Sequence, residues 1–251
     1  MSTSRLAALA LACALSAANA VSLAAQDTAT CTSCRPKHED GPPSEFALRS
    51  AGSFAIIQNR PAGQFGDNIG LGYGGNAAYL FSLDRDGILA LRADVGFIDY
   101  GNESKRFPIL DGRVQVKVST DNYIVPLSIG PQLTWPSGSV RPYVNAGFGE
   151  QFFFTQSSID GTNDSGLSTT NQHDHTTSWI AGGGVYVPVY AQKVNVMLDA
   201  GVQYYAGGHA QYLRPGGITD LPNGQILITP MESDTHMLVV RLGVRIGAQR
   251  R

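Results

Sequence analysis

The side chains best equipped for chemistry lie in two polar stretches of the second half of the chain. His173-Asp174-His175 is followed by Ser178, and His209 and His236 flank the acids Glu232 and Asp234. A serine with a histidine and a carboxylate is the set that acyl transfer needs, because the hydroxyl is a weak nucleophile until a base takes its proton. Spacing alone does not bring a base within hydrogen-bond reach of a hydroxyl, so no catalytic residue is assigned. His173 and His175 carry nitrogen ligands for a metal. In a stretch of Gly, Ser, Thr, Asn and Asp we read them as solvated, and neither a metal nor a cofactor is expected.

Cys31 and Cys34, in the order Cys-Thr-Ser-Cys, form the other candidate group. A redox pair has to sit at a helix start, and Arg35-Pro36-Lys37 offers none. Haem attachment would need histidine where Arg35 stands, and with His38 a zinc site would still lack an obvious fourth ligand. The expectation is a small loop disulfide formed in an oxidising compartment.

Such a compartment agrees with the start of the chain. Residues 1–20 read as a secretory signal: Arg5 is the only charge, Leu6 to Ala18 are mostly apolar, and Ala18-Asn19-Ala20 fits the small-x-small cleavage rule. A second cut site lies near Ala24 or Ala25, and Cys13 falls inside the signal without the leucine that a lipoprotein site has three residues earlier. Residues 21–44, polar with Pro36, Pro42 and Pro43, read as a flexible periplasmic segment. Among 251 residues only 15% are charged, 29 are glycine and the formal charge is −2. With no basic cluster, a nucleic-acid partner is not expected. No later stretch reaches the ~20 apolar residues of a spanning helix.

What must position these groups is a series of alternating segments. In 194–206, Val194, Val196, Leu198, Ala200, Val202 and Tyr204 oppose Asn195, Met197, Asp199, Gly201, Gln203 and Tyr205. In 235–247, Leu238, Val240, Leu242, Val244 and Ile246 oppose Val239, Arg241, Gly243 and Arg245. Period two means strands. The uniform face is apolar, whereas the mixed face is rich in glycine with a few charges. That is an inside-out arrangement, polar within and apolar toward lipid. Strands are expected near 45–57, 69–82, 88–100, 121–135, 140–154, 178–190, 194–206 and 235–247. Val114, Val116 and Val118 read as an upstream extension of the fourth. Short turns at 83–87, 136–139 and 191–193 alternate with long polar loops at 59–68, 101–120, 155–177 and 207–234. An even strand count returns both termini to the side of the turns.

The alternation sorts the polar residues. Arg49, Arg92, Asp94, Gln132, Asn145, Asp199, Gln203, Arg241 and Arg245 are expected to face inward and pair, since charges removed from water need partners. Asp199 should meet Arg241 or Arg245. Aromatics near strand ends suit the two membrane interfaces: Phe81, Trp135 and Tyr143 toward the turns, and Phe97, Trp179 and Tyr204 toward the loops. Two strands fit less well. Ser50 and Gly52 interrupt the apolar parity of the first, and one parity of the fifth turns Glu150 toward lipid.

With 122–131 (Asn-Tyr-Ile-Val-Pro-Leu-Ser-Ile-Gly-Pro) followed by Arg141-Pro142-Tyr143-Val144 as paired strands, the chain resembles the small outer-membrane barrels typified by the OmpA transmembrane domain and OmpX. The resemblance covers 45–247 and implies an all-β, eight-stranded antiparallel transmembrane up-and-down barrel, with its termini periplasmic. It also implies contact with outer-membrane lipid and lipopolysaccharide, and with the assembly machinery during biogenesis; it names no partner for the extracellular loops. One departure is the end of the chain, Ile246-Gly247-Ala248-Gln249-Arg250-Arg251, where such barrels usually place an aromatic. A barrel of eight strands is just wide enough to be filled by its own side chains. The expected function is therefore structural or at the cell surface, not enzymatic. The alternatives are a lipid A acyl-modifying enzyme, a narrow ion path and a soluble lipocalin-like barrel. The spacing around Ser178 does not match the deacylase motif, and a lipocalin would carry its charge outside.

Overall fold

The chain reverses on turns that its own side chains close. Asp84 Oδ2 accepts the backbone N–H of Ile88 at 3.0 Å, and Gly87 takes a φ of 71° that side chains with a Cβ avoid. Gly138, at φ 105°, does the same in the next short turn. Between such turns a computed structural model describes residues 48–109, 114–160, 167–191, 194–214, 217–220 and 226–249. The expected signal, the 21–44 segment, Cys31 and Cys34, and the side chain of Arg49 lie outside the described residues.

The elements are β1 (Leu48–Pro61), a short helix α1 (Gln64–Asn68), β2 (Gly72–Ser82), β3 (Leu89–Ile109), β4 (Val114–Thr134), β5 (Arg141–Asp160), β6 (Leu167–Ala191) and β7 (Val194–Gly207). After them come β8 (His209–Tyr212), β9 (Ile218–Asp220), β10 (Ile226–Ile228), β11 (Met231–Asp234) and β12 (Met237–Gln249). The order β1-β12-β7-β6-β5-β4-β3-β2 closes on itself as a barrel, while β8 pairs with β11 and β9 with β10 outside it. Neighbours in the barrel are antiparallel throughout. Closure leaves the barrel no open edge, and that is why strands survive in lipid. No helix among the described residues is long and apolar enough to cross a membrane.

Burial follows the alternation. Along β7, Asn195, Met197, Asp199, Gly201, Gln203 and Tyr205 are buried while Leu198, Val202 and Tyr204 are exposed. Exposed Phe54, Ile56, Ile129, Val144, Leu198 and Leu242 continue this apolar surface around the barrel. A contiguous apolar belt of this kind on an isolated chain marks a surface that meets lipid or a partner. In the first strand the pairing with β12 shifts register between Leu48 and Ala51. Ser50 and Gly52 nevertheless keep the outward parity of Phe54 and Ile56, opposite Phe81 and Ile246. Glu150 faces outward and pairs with Thr177, one step loop-ward of the Phe148–Trp179 pair. There a carboxylate costs little.

The four long loops are only partly loops. Residues 101–109 and 114–120 continue β3 and β4 as a paired ribbon, with Phe107 opposite Val116 and Ile109 opposite Val114. Residues 155–160 and 167–177 likewise extend β5 and β6. The Ser-, Thr- and Asn-rich composition of 155–177 reads as loop because alternation reports one-sided burial. A ribbon standing in water is polar on both faces and loses the signal without ceasing to be a strand. The stretch 207–234 folds back as the β8–β11 and β9–β10 pairs, and 59–68 ends in α1.

Candidate functional site

The strands bring the inward polar residues into one layer in the turn-side half of the lumen. Arg92 grips Asp94 through Nε and Nη2, both at 2.7 Å, and its Nη1 donates to Gln132 Oε1 at 3.0 Å. Gln132 Nε2 donates in turn to Thr134 Oγ1 and Tyr186 Oη, at 2.9 and 3.1 Å. Across the lumen Asp199 accepts from Tyr143 Oη at 2.7 Å and Ser53 Oγ at 3.3 Å. Arg241 links the two halves: Nη2 donates to Tyr143 Oη at 2.6 Å and lies 3.8 Å from Asp199 Oδ2, and Nη1 lies 3.6 Å from Asp94 Oδ1. Arg245 stands apart, its guanidinium 4.6 Å from the centre of the Tyr186 ring. Asn145 and Gln203 are buried beside this network, and Gln203 Oε1 accepts from Tyr205 Oη at 3.5 Å. Paired and hydrogen-bonded charge of this kind is the form in which ions persist away from water.

The girdle assignment needs one correction. Phe81, Trp135, Trp179 and Tyr204 are exposed on the outer face, and Phe97 lies half-buried against the Tyr123 ring. Tyr143 is 3% exposed and faces the lumen. It shares parity with Arg141 and Asn145, both inward, and the phenol reaches Asp199 and Arg241 instead of the interface. Room for it comes from glycine: a Cβ at Gly184 or Gly201 would collide with the Tyr143 hydroxyl. Tyr186 was equally legible, since it sits in step with Gly182 and Gly184, yet its hydroxyl carries no signature in sequence.

Above the charged layer the lumen holds an apolar cluster among neutral polar side chains such as Asn59, Asn122, Gln151 and Thr155. Phe65 of α1 is fully buried among Ile98, Ile124, Phe153, Ile180 and Tyr212, edge-on to Tyr212 at 4.9 Å and to Phe153 at 5.9 Å. Asn68 Nδ2 donates to Tyr212 Oη at 3.1 Å, Tyr212 bonds Ser233 Oγ at 2.8 Å, and Tyr100 Oη donates to the Leu213 carbonyl at 3.2 Å. These bonds hold α1, β8 and β11 across the mouth. No periodicity in the 59–68 loop announces that Phe65 turns inward.

Outside this cap the titratable residues of the two polar stretches line an open cleft of about 570 Å³, bounded by His173, Asp174, His209, Gln211 and Glu232. Asp174 ties β6 to β8 by accepting the Gln211 N–H at 2.6 Å. His209 pairs with Asp234 at 3.1 Å and Glu232 at 3.4 Å. Ser178 is 1% exposed and inward, whereas His175 is exposed and stacks on Phe152. The hydroxyl and the imidazole therefore stand on opposite faces of β6, and Ser178 Oγ bonds no partner. His236 stacks on Tyr204. Among the described residues no group of three or more His, Cys, Asp or Glu side chains is placed to hold a metal.

No protein-family model matches the sequence, and no curated protein matches it either. Solved structures resemble it in fold. Neisserial surface protein A aligns over 79% of this chain and 96% of its own, at 14% identity and a TM-score of 0.46. For the attachment invasion locus protein of Yersinia pestis the figures are 80%, 99%, 16% and 0.39. For the N-terminal β-barrel domain of Pseudomonas aeruginosa OprF they are 79%, 98%, 16% and 0.34. The closed strand order, the inward charged layer and the outward apolar belt give this chain the fold of a small eight-stranded transmembrane β-barrel.

Proposed function

We propose that the protein is a bacterial outer-membrane barrel with a closed lumen, which acts as a structural element or through what it displays at the cell surface. The observation that carries this reading is the two-layer filling of the lumen. A hydrogen-bonded charged layer lies on the turn side and an aromatic cap around Phe65 on the loop side. A barrel filled twice over has its working surface outside it. Here that surface is the β3–β4 and β5–β6 ribbons together with the histidine- and acid-lined cleft between β6 and β8. In this reading the termini are periplasmic, the apolar belt contacts outer-membrane lipid and lipopolysaccharide, and the outer-membrane assembly machinery inserts the chain. No enzymatic role is proposed: Ser178 is buried on the face of β6 opposite His175, and Ser233 is buried and bonded to Tyr212.

Planar-bilayer recording tests this. The purified barrel gives no resolvable conductance steps in 1 M KCl. Regular steps from a preparation shown to be folded by its gel mobility shift would contradict the closed lumen and restore the ion path.

A further inference from the structure

We propose that a groove on the outer wall, at the loop-side end of β1, holds one glycerophospholipid whose headgroup carries a phosphate and, beyond it, a primary ammonium. The proposal rests on the reading of the apolar belt as lipid-facing. The groove has a volume of about 740 Å³, within the range of small-ligand sites, and its lining includes Gln58, Arg60, Asp67, Leu71, Leu238 and Val240. Its chemistry is ordered along the wall. In the outward column of β1, exposed Phe54 and Ile56 give way to Gln58 and then Arg60. Val240 of β12 lies opposite Gln58, and Leu238 lies opposite Arg60. Leu71, half exposed, closes the other side just before β2. Asp67 follows farther out, on α1, after β1 has ended at Pro61. The partner of Leu238 on its other side is Tyr204, a ring of the loop-side girdle. Arg60 thus stands where the chains of a lipid end and its headgroup begins.

An arginine at this height is by itself an ordinary interfacial anchor, with its stem on apolar surface and its head in water. The groove and its carboxylate make this one part of a site. Arg60 and Asp67 are both exposed on it, and among the described residues neither forms an ion pair with the other or with a third group. A guanidinium followed outward by a carboxylate is the complement of a phosphate followed outward by an ammonium. The planar guanidinium matches phosphate oxygens, and a primary ammonium donates charge-assisted hydrogen bonds to a carboxylate. A phosphatidylglycerol headgroup satisfies Arg60 and leaves Asp67 facing a net negative charge. A choline headgroup has no N–H to give Asp67. The interval selects the lipid as well. Leu238 and Arg60 are register partners, so the phosphate has to lie directly beside the chains, as it does across a glycerol. In lipid A the phosphates are carried on sugar rings instead.

The test titrates the full chain, folded in neutral detergent micelles, with short-chain phosphatidylethanolamine, phosphatidylglycerol, phosphatidylcholine and lipid A while backbone amide resonances are followed. Phosphatidylethanolamine should shift the amides of 58–71 saturably and bind about fivefold more tightly than the other three, the factor that one well-formed exposed ion pair supplies. Arg60→Gln should weaken both phosphatidylethanolamine and phosphatidylglycerol. Asp67→Asn should lower phosphatidylethanolamine to the level of phosphatidylglycerol without weakening the latter. Equal affinities for the four lipids, tightest binding of lipid A, or a preference that survives both substitutions overturns the proposal. Flotation with lipid vesicles separates this failure from that of the belt. A chain that floats but shows no headgroup preference refutes the groove alone, and a chain that stays in the aqueous fraction refutes both.

Discussion

Replacing Asp199 with alanine lowers the stability of the folded barrel by about 3–5 kcal/mol, the range for removing one member of a buried ion pair. The carboxylate accepts from Tyr143 and Ser53 and faces Arg241 at 3.8 Å. Without it Asp94, at 3.6 Å, is the one carboxylate left to the Arg241 guanidinium among the described residues, and the Tyr143 phenol loses its acceptor. Much of that cost is the stranded arginine. Asp199→Ala combined with Arg241→Ala should therefore be less destabilising than the two singles added together, by roughly 0.5–3 kcal/mol. Arg245 sits on Tyr186, so its coupling to Asp199 should be the smaller of the two. Equilibrium unfolding in urea from lipid vesicles measures the wild type, the three single alanine variants at 199, 241 and 245, and the two doubles. A wild-type midpoint for Asp199→Ala, or additivity with Arg241→Ala, would show that the lumen is hydrated and the pair unimportant.

Removing the aromatic cap has an effect of similar size and a different signature. Phe65→Ala deletes a fully buried ring from the contact with Phe153 and Tyr212, and Phe→Ala in a core costs about 3–5 kcal/mol. The loss should fall on α1 and the β8–β11 pair, which the ring anchors over the mouth, and spare the barrel wall. Hydrogen exchange should then show 64–68 and 209–212 losing protection while β7 and β12 keep theirs. The variant should also remain non-conducting, since the Arg92–Asp94–Arg241–Asp199 layer below still closes the lumen. Uniform loss of protection across all strands would mean that the cap is part of the barrel's cooperative core and not a lid upon it.

How much of this could be read from sequence depends on where a residue sits relative to lipid. Inside the belt one face is forced to be apolar, so Val202 against Gln203 and Leu242 against Arg241 reveal strand, face and partner together. Asp199 lies opposite Gly243, diagonal to both Arg241 and Arg245, so parity and register narrow its partner to these two and the structure selects Arg241. Outside the belt nothing enforces alternation. The continuation of β3 and β4 to Ile109 and Val114 left its trace only in the three valines at 114, 116 and 118. Tyr143 shows two signals in conflict. Its place near a strand end suggests an interfacial ring, while its step with Asn145 puts it inside, and parity won because an inward hydroxyl found Asp199. Phe65 is different again, since a single ring in a polar loop gives no period to count.

Cysteine labelling along β7 and β12 tests most directly the arrangement on which the rest depends, lipid outside and charge within. Single cysteines at Leu198, Val202, Val240 and Leu242 should react with a membrane-confined maleimide in reconstituted vesicles, because these side chains are exposed on the belt. Cysteines at Met197, Gln203 and Val239, which are 2%, 2% and 3% exposed, should stay unmodified until the barrel is unfolded. The opposite pattern, with Met197, Gln203 and Val239 labelled and the belt positions protected, would mean that the apolar face is an interior and that the protein is a barrel in water.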